Sequence, residues 1–429
     1  MTGLRTPAAK RLLGMALAGS GLLAILGLTL YPSPKQAKSA ALTPLYCLVC
    51  GESGGADVFL NLLLFVPMAA GLRLLDWPSL RVVAVSAALS LGVESLQYFV
   101  VEGRDASLSD LLTNTTGGAV GAALASRARR LLAPGLHLAR KLSAGAAAAW
   151  LGVLLFSAFA LRPWAPREPL RNYCTAAYPT SEVFAGTARS VTLNGVPLPC
   201  DGVIALSRPI AERLRKGELA LDVSAASSDP EAGRRAVHVV RAPHASLVVL
   251  AQHGRSVLFS APIAAQALRL LAPAVRLSHA LPDRGGVPVE LRAEVHGRRV
   301  QLSAMYGGER RATELALSPA YGWTMVLPGG IEPGVRLRLA GALWLGGLLF
   351  PAAYWAARAE RPGRALSVVA LAGLAGLGLV PLLTGYAPAH WSEWLGVSGG
   401  IALGWALHRF AAYLQSRCGS PSTSAYSSS

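Results

Sequence analysis

The sequence predicts an α-helical polytopic membrane protein of about eight spans, with an all-β sandwich domain inserted between the fifth and sixth spans. Three observations support this fold class. Hydrophobic residues make up 52% of the 429-residue chain and charged residues only 15%, a balance that few soluble proteins have. Eight apolar stretches each approach the ~20 residues that a membrane-spanning helix needs. One long segment, 164–336, instead alternates apolar and polar residues, as half-buried strands do.

The apolar stretches divide the chain into six parts. An anchor helix and its loop (1–40) precede a compact unit of three short-linked helices (41–126). A basic inner loop and the fifth span (127–163) lead into the β domain (164–336). Three C-terminal spans (337–415) and a Ser-rich tail predicted to be disordered (416–429) follow. The predicted spans are roughly 12–31, 57–75, 80–100, 109–126, 143–161, 338–357, 365–385 and 394–414.

The first span has a second interpretation, because basic residues precede it and small residues follow it, as in a cleaved signal peptide. Its apolar run is longer than the ~7–15 residues of a signal core, which favours a retained anchor. Either interpretation leaves the later topology unchanged.

The basic residues are sorted by loop. The chain carries a net charge of +17, which alone could indicate a nucleic-acid partner. However, fourteen Lys and Arg residues flank the predicted inner ends of the spans, against three in the short outer loops. By the positive-inside rule this places both termini in the cytoplasm and residues 164–336 outside the inner (cytoplasmic) membrane. We therefore predict the lipid bilayer, and no nucleic acid, as a partner.

The β domain is predicted from short alternating runs bounded by Gly and Pro. His-Gly-Arg at 253–255 and at 296–298 is typical of hairpin turns. Helical composition at 210–216 and 264–271 indicates excursions between strands. Short strands with polar turns favour a two-sheet sandwich of the jelly-roll kind. The predicted strands are 190–193, 203–206, 218–223, 236–240, 246–251, 256–260, 287–295, 299–305 and 321–326.

Four of the five cysteines fall on the predicted outer side, where an oxidising environment permits disulfides. We predict that Cys174 and Cys200 pair and bridge two strands. For Cys47 and Cys50, in a Cys-x-x-Cys pattern, a local disulfide, half of a metal site and two unpaired thiols all remain open. A single Cys-x-x-Cys without a second pair is weak evidence for metal.

Polar residues lie within three neighbouring spans, where an unpaired polar group facing lipid costs several kcal/mol. With the spans oriented as above, they converge at similar depth in the outer half of the membrane. Spacing of three or four residues also places each set on one helix face. We therefore predict a ligand-binding site, and these residues are Asp57, Asn61, Glu94, Gln97, Asp110 and Asn114.

Neighbouring residues fit the same predicted site. Arg104 and Asp105, on the short loop above it, are further ligand-binding candidates, since an arginine can neutralise a carboxylate or bind an anionic headgroup. Small residues allow close helix packing, and a proline inside a helix frees backbone carbonyls. The predicted helix-packing residues are Pro67, Gly117, Gly118 and Gly121.

These residues resemble a known family. The pattern is similar to that of VanZ-like membrane proteins over 41–126. The resemblance implies a cell-envelope role and a link to resistance to the glycopeptide antibiotic teicoplanin, but no reaction. The motifs that carry it are Asp57-Val-Phe-Leu-Asn61-Leu-Leu-Leu-Phe65-Val-Pro67, Glu94-Ser-Leu-Gln97, Arg104-Asp105 and Asp110-Leu-Leu-Thr-Asn114-Thr-Thr-Gly-Gly118.

The β domain more loosely resembles laminin-G or concanavalin-like sandwiches, which implies a carbohydrate or peptide ligand. No group of Asp and Asn with the pattern of a calcium site is evident. His238, His244 and His253 are interpreted as surface or strand-packing residues and not as zinc ligands. We predict no metal and no cofactor.

Two functions from different classes follow. In the first, the helical unit binds an envelope lipid or a peptidoglycan-related molecule without turnover. In the second, the protein is a membrane-embedded hydrolase or transferase in which Glu94 and Asp110 serve as general acid and base. No HExxH motif and no Ser/His pair lies within the helical unit, which favours binding. A third interpretation is purely structural, with the polar groups holding the helices together.

Overall fold

The computed structural model describes residues 7–32, 46–49, 51–101, 106–174, 184–230, 235–243 and 245–418. Four predictions concern residues outside these ranges: Arg104, Asp105, Cys50 and His244. The predicted tail also lies outside them from residue 419 onward. Helices fill both ends of the described chain, and strands fill its centre. The helices are α1 (Pro7–Thr29), α2 (Gly54–Leu74), α3 (Ser79–Phe99), α4 (Leu108–Ser126), α5 (Ala128–Leu132), α6 (Leu136–Ala160), α7 (Ser207–Lys216), α8 (Val335–Arg358), α9 (Pro362–Leu374), α10 (Val380–Thr384) and α11 (Trp391–Cys418).

Six helical segments of the described chain are long and apolar enough to cross a membrane: α1, α2, α3, α6, α8 and the segment Pro362–Thr384, which joins α9 and α10 through a π-helical stretch. The predicted count of about eight is therefore not exact. Helices also form at the other two predicted positions, as α4 and α11, but they are not among these six. Asp110 and Asn114 lower the hydropathy of α4, and His408 and Arg409 lower that of α11.

Helices α1 to α4 form one packed group. Small residues bring α1 and α2 into backbone contact, since a side chain on Gly21 would overlap Met68 and one on Gly71 would overlap Ala18. Close approach of this kind maximises van der Waals contact between apolar helices. Ile25 of α1 and Phe65 of α2 are completely buried between these helices.

Helices α6 and α8 to α11 form a second group. The indole Nε1 of Trp150 on α6 donates to the carbonyl of Leu345 on α8 at 3.1 Å. Gly346 and Gly400 let α8 and α11 meet backbone to backbone. The end of α8 joins the two groups, because Trp355 Nε1 donates to the carbonyl of Leu131 at 2.7 Å.

Contacts at the helix ends define two sides of the molecule. On one side, Lys10 of α1 pairs with Asp76 of the α2–α3 link at 2.5 Å. On the other side, Glu52 before α2 pairs with Arg241 of the β domain at 2.6 Å. The amide of Gly55 also donates to the carbonyl of Arg269, 3.0 Å away. The start of α2 therefore lies on the side that holds the β domain.

The β domain is a two-sheet, predominantly antiparallel structure, as predicted. One sheet has the strand order β13-β9-β8-β7-β6-β1-β4 and the other β12-β11-β10-β5-β2-β3. The strands are β1 (Arg171–Cys174), β2 (Thr187–Leu193), β3 (Val196–Pro197), β4 (Gly202–Val203), β5 (Glu218–Ala226), β6 (Arg235–Ala242), β7 (Ala245–His253), β8 (Ser256–Ser260), β9 (Ala274–Leu277), β10 (Pro288–His296), β11 (Arg299–Tyr306), β12 (Glu309–Ala316) and β13 (Gly330–Ile331).

Alternation along the strands builds the sandwich core. In β10, Val289, Leu291, Ala293 and Val295 are buried while the residues between them are more exposed. The same core continues into α6, α8 and α9, so the sandwich is packed directly onto the second helix group. Both predicted His-Gly-Arg turns are confirmed, because His253 pairs with Ser256 and His296 with Arg299 across two-residue turns.

Some local predictions in the β domain are wrong. Residues 321–326 lie mostly in a 3₁₀ helix, Pro319–Met325, and of residues 203–206 only Val203 is in a strand. Ser318 explains the first error: its side chain accepts from the amide of Ala320 at 3.2 Å and starts a helical turn. The predicted helical excursions occur as α7 and as a 3₁₀ helix at Ala264–Leu268.

The predicted cysteine pair is a disulfide in the structure. Cys174 at the end of β1 is bonded to Cys200, just before β4. Since β1 and β4 are paired neighbours in one sheet, the bond closes the edge of that sheet. Cys47 is also disulfide-bonded, which excludes an unpaired thiol at this position.

Candidate functional site

The candidate site lies where α2, α3 and α4 meet, near the end of the bundle that adjoins the β domain. We call Asn61, Ser90, Glu94, Ser107, Asp110 and Asn114 the polar cluster. Ser107 caps the first turn of α4 by accepting from the amide of Asp110 at 3.1 Å. A carboxylate in the first turn of a helix is stabilised by the helix dipole, which explains why Asp110 stands at this position.

The two carboxylates are held by groups from other elements. Asn61 Nδ2 on α2 donates to Asp110 Oδ1 at 2.6 Å. The Ser107 amide donates to Glu94 Oε2 on α3 at 2.8 Å. Glu94 is only 8% exposed, and it interacts electrostatically with Asp110. Side chains from three helices thus converge on one acidic pair.

Two amides extend the arrangement by one helical turn. Asn114 Nδ2 donates to Ser90 Oγ at 3.0 Å, and Gln97 Nε2 donates to the carbonyl of Thr29 at the end of α1 at 3.0 Å. Their oxygens, Asn114 Oδ1 and Gln97 Oε1, are buried and have no hydrogen-bond partner among the residues that the structure describes. An unsatisfied buried acceptor costs about 1–3 kcal/mol, so both oxygens are available to a donor.

Glycines on α4 make this convergence possible. A Cβ on Gly117 would overlap the carbonyl oxygen of Leu62, and one on Gly121 would overlap that of Val66. A Cβ on Gly118 would overlap the hydroxyl of Ser86 on α3. Helix α4 therefore touches α2 with two glycines and α3 with the third. Pro67 lies within α2, which continues through it to Leu74.

The structure brings most of the predicted ligand-binding residues together. Asn61, Glu94, Asp110 and Asn114 belong to the polar cluster, and Gln97 lies one turn from Glu94 and turns toward α1. Asp57 is exposed at the start of α2, where its Oδ2 accepts from Ser53 at 3.1 Å. Arg104 and Asp105 lie outside the described residues.

Sequence reasoning missed Ser90 and Ser107. A signal for Ser107 was present, because Ser107-Leu-Ser-Asp110 has the form of a helix N-terminal capping box. Nothing in the sequence marked Ser90, a small residue within an apolar run. It is completely buried and was identified only through its contact with Asn114.

The chemistry of the polar cluster is that of a hydrogen-bond acceptor. Its carboxylates and amide oxygens fit hydroxyl, amine or amide donors of a ligand. Among the described residues, no group of three or more His, Cys, Asp or Glu side chains is arranged to hold a metal ion. Chemically, these acceptors match the donors of an uncharged or cationic polar group.

The predicted histidines of the β domain occupy two environments. His253 is exposed at the β7–β8 turn. His238 is completely buried, and its Nε2 contacts Asn172 Oδ1 on the neighbouring strand β1. Burial lowers the pKa of His238 to about 3, because the low-dielectric interior disfavours the charged imidazolium.

Comparison with known proteins agrees with the helical architecture. The VanZ/LLP1 family model matches residues 21–131, which include the last nine residues of α1 and all of α2, α3 and α4. This match confirms the resemblance predicted over 41–126 and extends it to the end of α1. No curated protein and no solved structure matches the chain.

Proposed function

We propose that this membrane protein with a VanZ/LLP1 region binds a molecule of the bacterial cell envelope through its polar cluster. The ligand class is an envelope lipid or a peptidoglycan-related molecule that presents hydroxyl or amine donors. In this proposal the β domain lies outside the cytoplasmic membrane, both termini lie inside, and the ligand approaches from the β-domain side.

One observation carries the proposal. The interacting carboxylates of Glu94 and Asp110 lie where α2, α3 and α4 meet, and the buried oxygens of Asn114 and Gln97 have no hydrogen-bond partner in the described part of the chain. Interhelical hydrogen bonds contribute only ~0.6–2 kcal/mol each, less than the cost of burying unpaired polar groups in lipid. A donor-bearing ligand would offset that cost, whereas a purely structural role would leave it.

The proposal is tested by co-purification. Full-length protein is extracted from bacterial membranes in mild detergent, and the retained molecules are identified by mass spectrometry. We expect the wild-type protein to retain an envelope glycolipid or a peptidoglycan-related molecule. The Glu94→Gln/Asp110→Asn protein should retain at most about one tenth of the wild-type amount. The amides keep the size of the side chains but remove the negative charge.

Asp57→Asn is the matched control, because Asp57 also has a carboxylate side chain and lies on α2, but outside the polar cluster. It should retain the ligand as the wild type does. If wild-type and double-variant proteins carry the same bulk phospholipids and differ only in thermal stability, the polar cluster is structural and the proposal is wrong.

The same preparations separate binding from catalysis. Incubation with labelled envelope lipids should give no product over time, because the proposal requires affinity without turnover. Time-dependent product that disappears in Glu94→Gln and in Asp110→Asn would replace binding with a hydrolase or transferase.

The link to glycopeptides is a further part of the proposal. A bacterium that lacks this protein should become more sensitive to teicoplanin, and complementation with the Asp57→Asn protein should restore tolerance. Complementation with the Glu94→Gln/Asp110→Asn protein should not, because it lacks the proposed binding groups. Unchanged sensitivity in the deletion strain would remove the antibiotic link without affecting the binding proposal.

A further inference from the structure

A second site candidate lies outside the matched region, between the β domain and the second helix group. It is an open cleft of about 870 Å³. Its walls are the segment after α6, the end of α7, the β10–β11 turn and the turn after α10. We call it the basic cleft, because its lining includes Arg162, Arg215, Lys216, His296, Arg298 and Arg299.

The basic cleft has a strong positive charge. Five Lys or Arg side chains line it, and no lining residue is Asp or Glu. Among the described residues only Arg299 of these five has a carboxylate partner, Glu314 at 2.9 Å. Arg215 is fixed by the carbonyls of Ala165 and Pro166 at 2.9 and 3.0 Å, bonds that orient the guanidinium without neutralising it.

One wall of the basic cleft is held firmly. The guanidinium of Arg298 stacks over the ring of Tyr386, 4.5 Å from the ring centre. The Tyr386 hydroxyl donates to the carbonyl of Ala158 on α6 at 2.7 Å. Arg298 therefore faces the cleft from a hairpin turn that is tied to a helix end, so its charge is held in place before any ligand arrives.

The position of the basic cleft fits the headgroup layer of a membrane. Arg162 lies two residues after the end of α6, and Thr384 is the last residue of the segment Pro362–Thr384. Both segments are apolar enough to span a bilayer, so their ends lie at its surface. Trp164 lines the cleft and Trp391 is exposed close by in sequence, and indole side chains concentrate at this depth.

We propose that the basic cleft binds the phosphate of an anionic lipid headgroup. Guanidinium groups recognise phosphate through paired, charge-assisted hydrogen bonds. Within the described ranges, the basic cleft holds several Arg and Lys side chains without a carboxylate partner at the ends of two spans. They can donate such hydrogen bonds at the depth where lipid phosphates lie. This site is separate from the polar cluster, which presents acceptors and so fits the opposite kind of group.

The test uses native mass spectrometry of the full-length protein in detergent, titrated with phosphatidylglycerol or with phosphatidylcholine. We expect phosphatidylglycerol to bind more tightly to the wild type, and Lys216→Gln/Arg298→Gln to weaken that binding about tenfold or more. The control pair Arg189→Gln/Arg310→Gln removes the same charge from exposed positions of the β domain outside the cleft and should bind as the wild type does.

Two results would overturn the proposal. If the cleft variant and the control variant weaken phosphatidylglycerol binding equally, that binding depends only on the overall charge of the protein. Glycerol 1-phosphate binding as tightly as phosphatidylglycerol would assign the cleft to a soluble phosphate ester and not to a lipid. Neither result bears on the polar cluster, whose test uses different variants.

Discussion

At the scale of single residues, His238 makes the stability of the protein depend on pH. Its pKa is about 3 in the folded protein and about 6.5 in an unfolded chain. Between these values the unfolded state takes up a proton that the folded state does not. Stability should therefore fall as the pH falls from about 6.5 toward 3, by up to about 1.4 kcal/mol per pH unit.

This expectation is checked by thermal unfolding of the detergent-solubilised protein at pH 7.5 and at pH 4.5. His238→Gln removes the titrating group, so its unfolding temperature should depend less on pH than that of the wild type. His253→Gln changes an exposed histidine and should keep the wild-type dependence. Equal pH dependence in all three proteins would contradict the assignment to His238.

The polar cluster shows what residue-level reasoning can predict. Asn61, Glu94, Asp110 and Asn114 were predicted to converge because span orientation fixes their depth and helical spacing fixes their face. Ser90 was not predicted, since a buried serine hydroxyl has no signature in an apolar run. Asp57 lies on the predicted helix but outside the polar cluster, because it stands one turn before Asn61 at the exposed start of α2, where it accepts from Ser53.

At the scale of elements, α4 packs closely against its neighbours because glycines stand at the contact positions. We expect Gly117→Ala to destabilise the protein by about 1–3 kcal/mol, as overpacking does, because its Cβ would overlap the carbonyl of Leu62. Gly92→Ala on α3 is the matched control. Its Cβ meets no atom within 4 Å, so better helix propensity should leave stability equal or higher. Thermal unfolding in detergent compares the two, and equal effects would refute the close contact.

The disulfide stabilises the edge of the seven-stranded sheet. Cys174 and Cys200 close a loop with a sequence separation of 26 residues. Restricting the unfolded chain over such a loop contributes about 3 kcal/mol. The Cys174→Ser/Cys200→Ser protein should therefore unfold at a lower temperature, and reductant should lower the wild-type value by more than that of the variant, which keeps the disulfide of Cys47. Insensitivity of the wild type to reductant would contradict this.

Elements were predicted from sequence with unequal success. Long strands with strict alternation, such as β5 and β10, were located correctly because one buried face imposes a period of two. Strands β3, β4 and β13 have two residues each, too few for any period to be visible. Hydropathy locates the six strongly apolar helices. Helix α4 gives a weaker signal, because residues of the polar cluster stand where apolar residues would otherwise be.

At the scale of the whole molecule, the predicted orientation can be tested by cysteine labelling. We choose Arg310→Cys on β12 and Arg361→Cys before α9, because both positions are exposed. In a Cys418→Ser background, a membrane-impermeant maleimide should label Arg310→Cys in intact cells. Arg361→Cys should react only after permeabilisation. The reverse pattern would invert the topology.

The β domain begins after α6 and ends before α8, and these two helices are packed side by side through Trp150 and Leu345. A short linker in place of the sandwich would leave them as a simple helical hairpin, with every later helix still running in its present direction. One continuous segment between two packed helices thus accounts for the whole sandwich. Excising residues 163–333 and joining the ends is the corresponding route to a minimal protein.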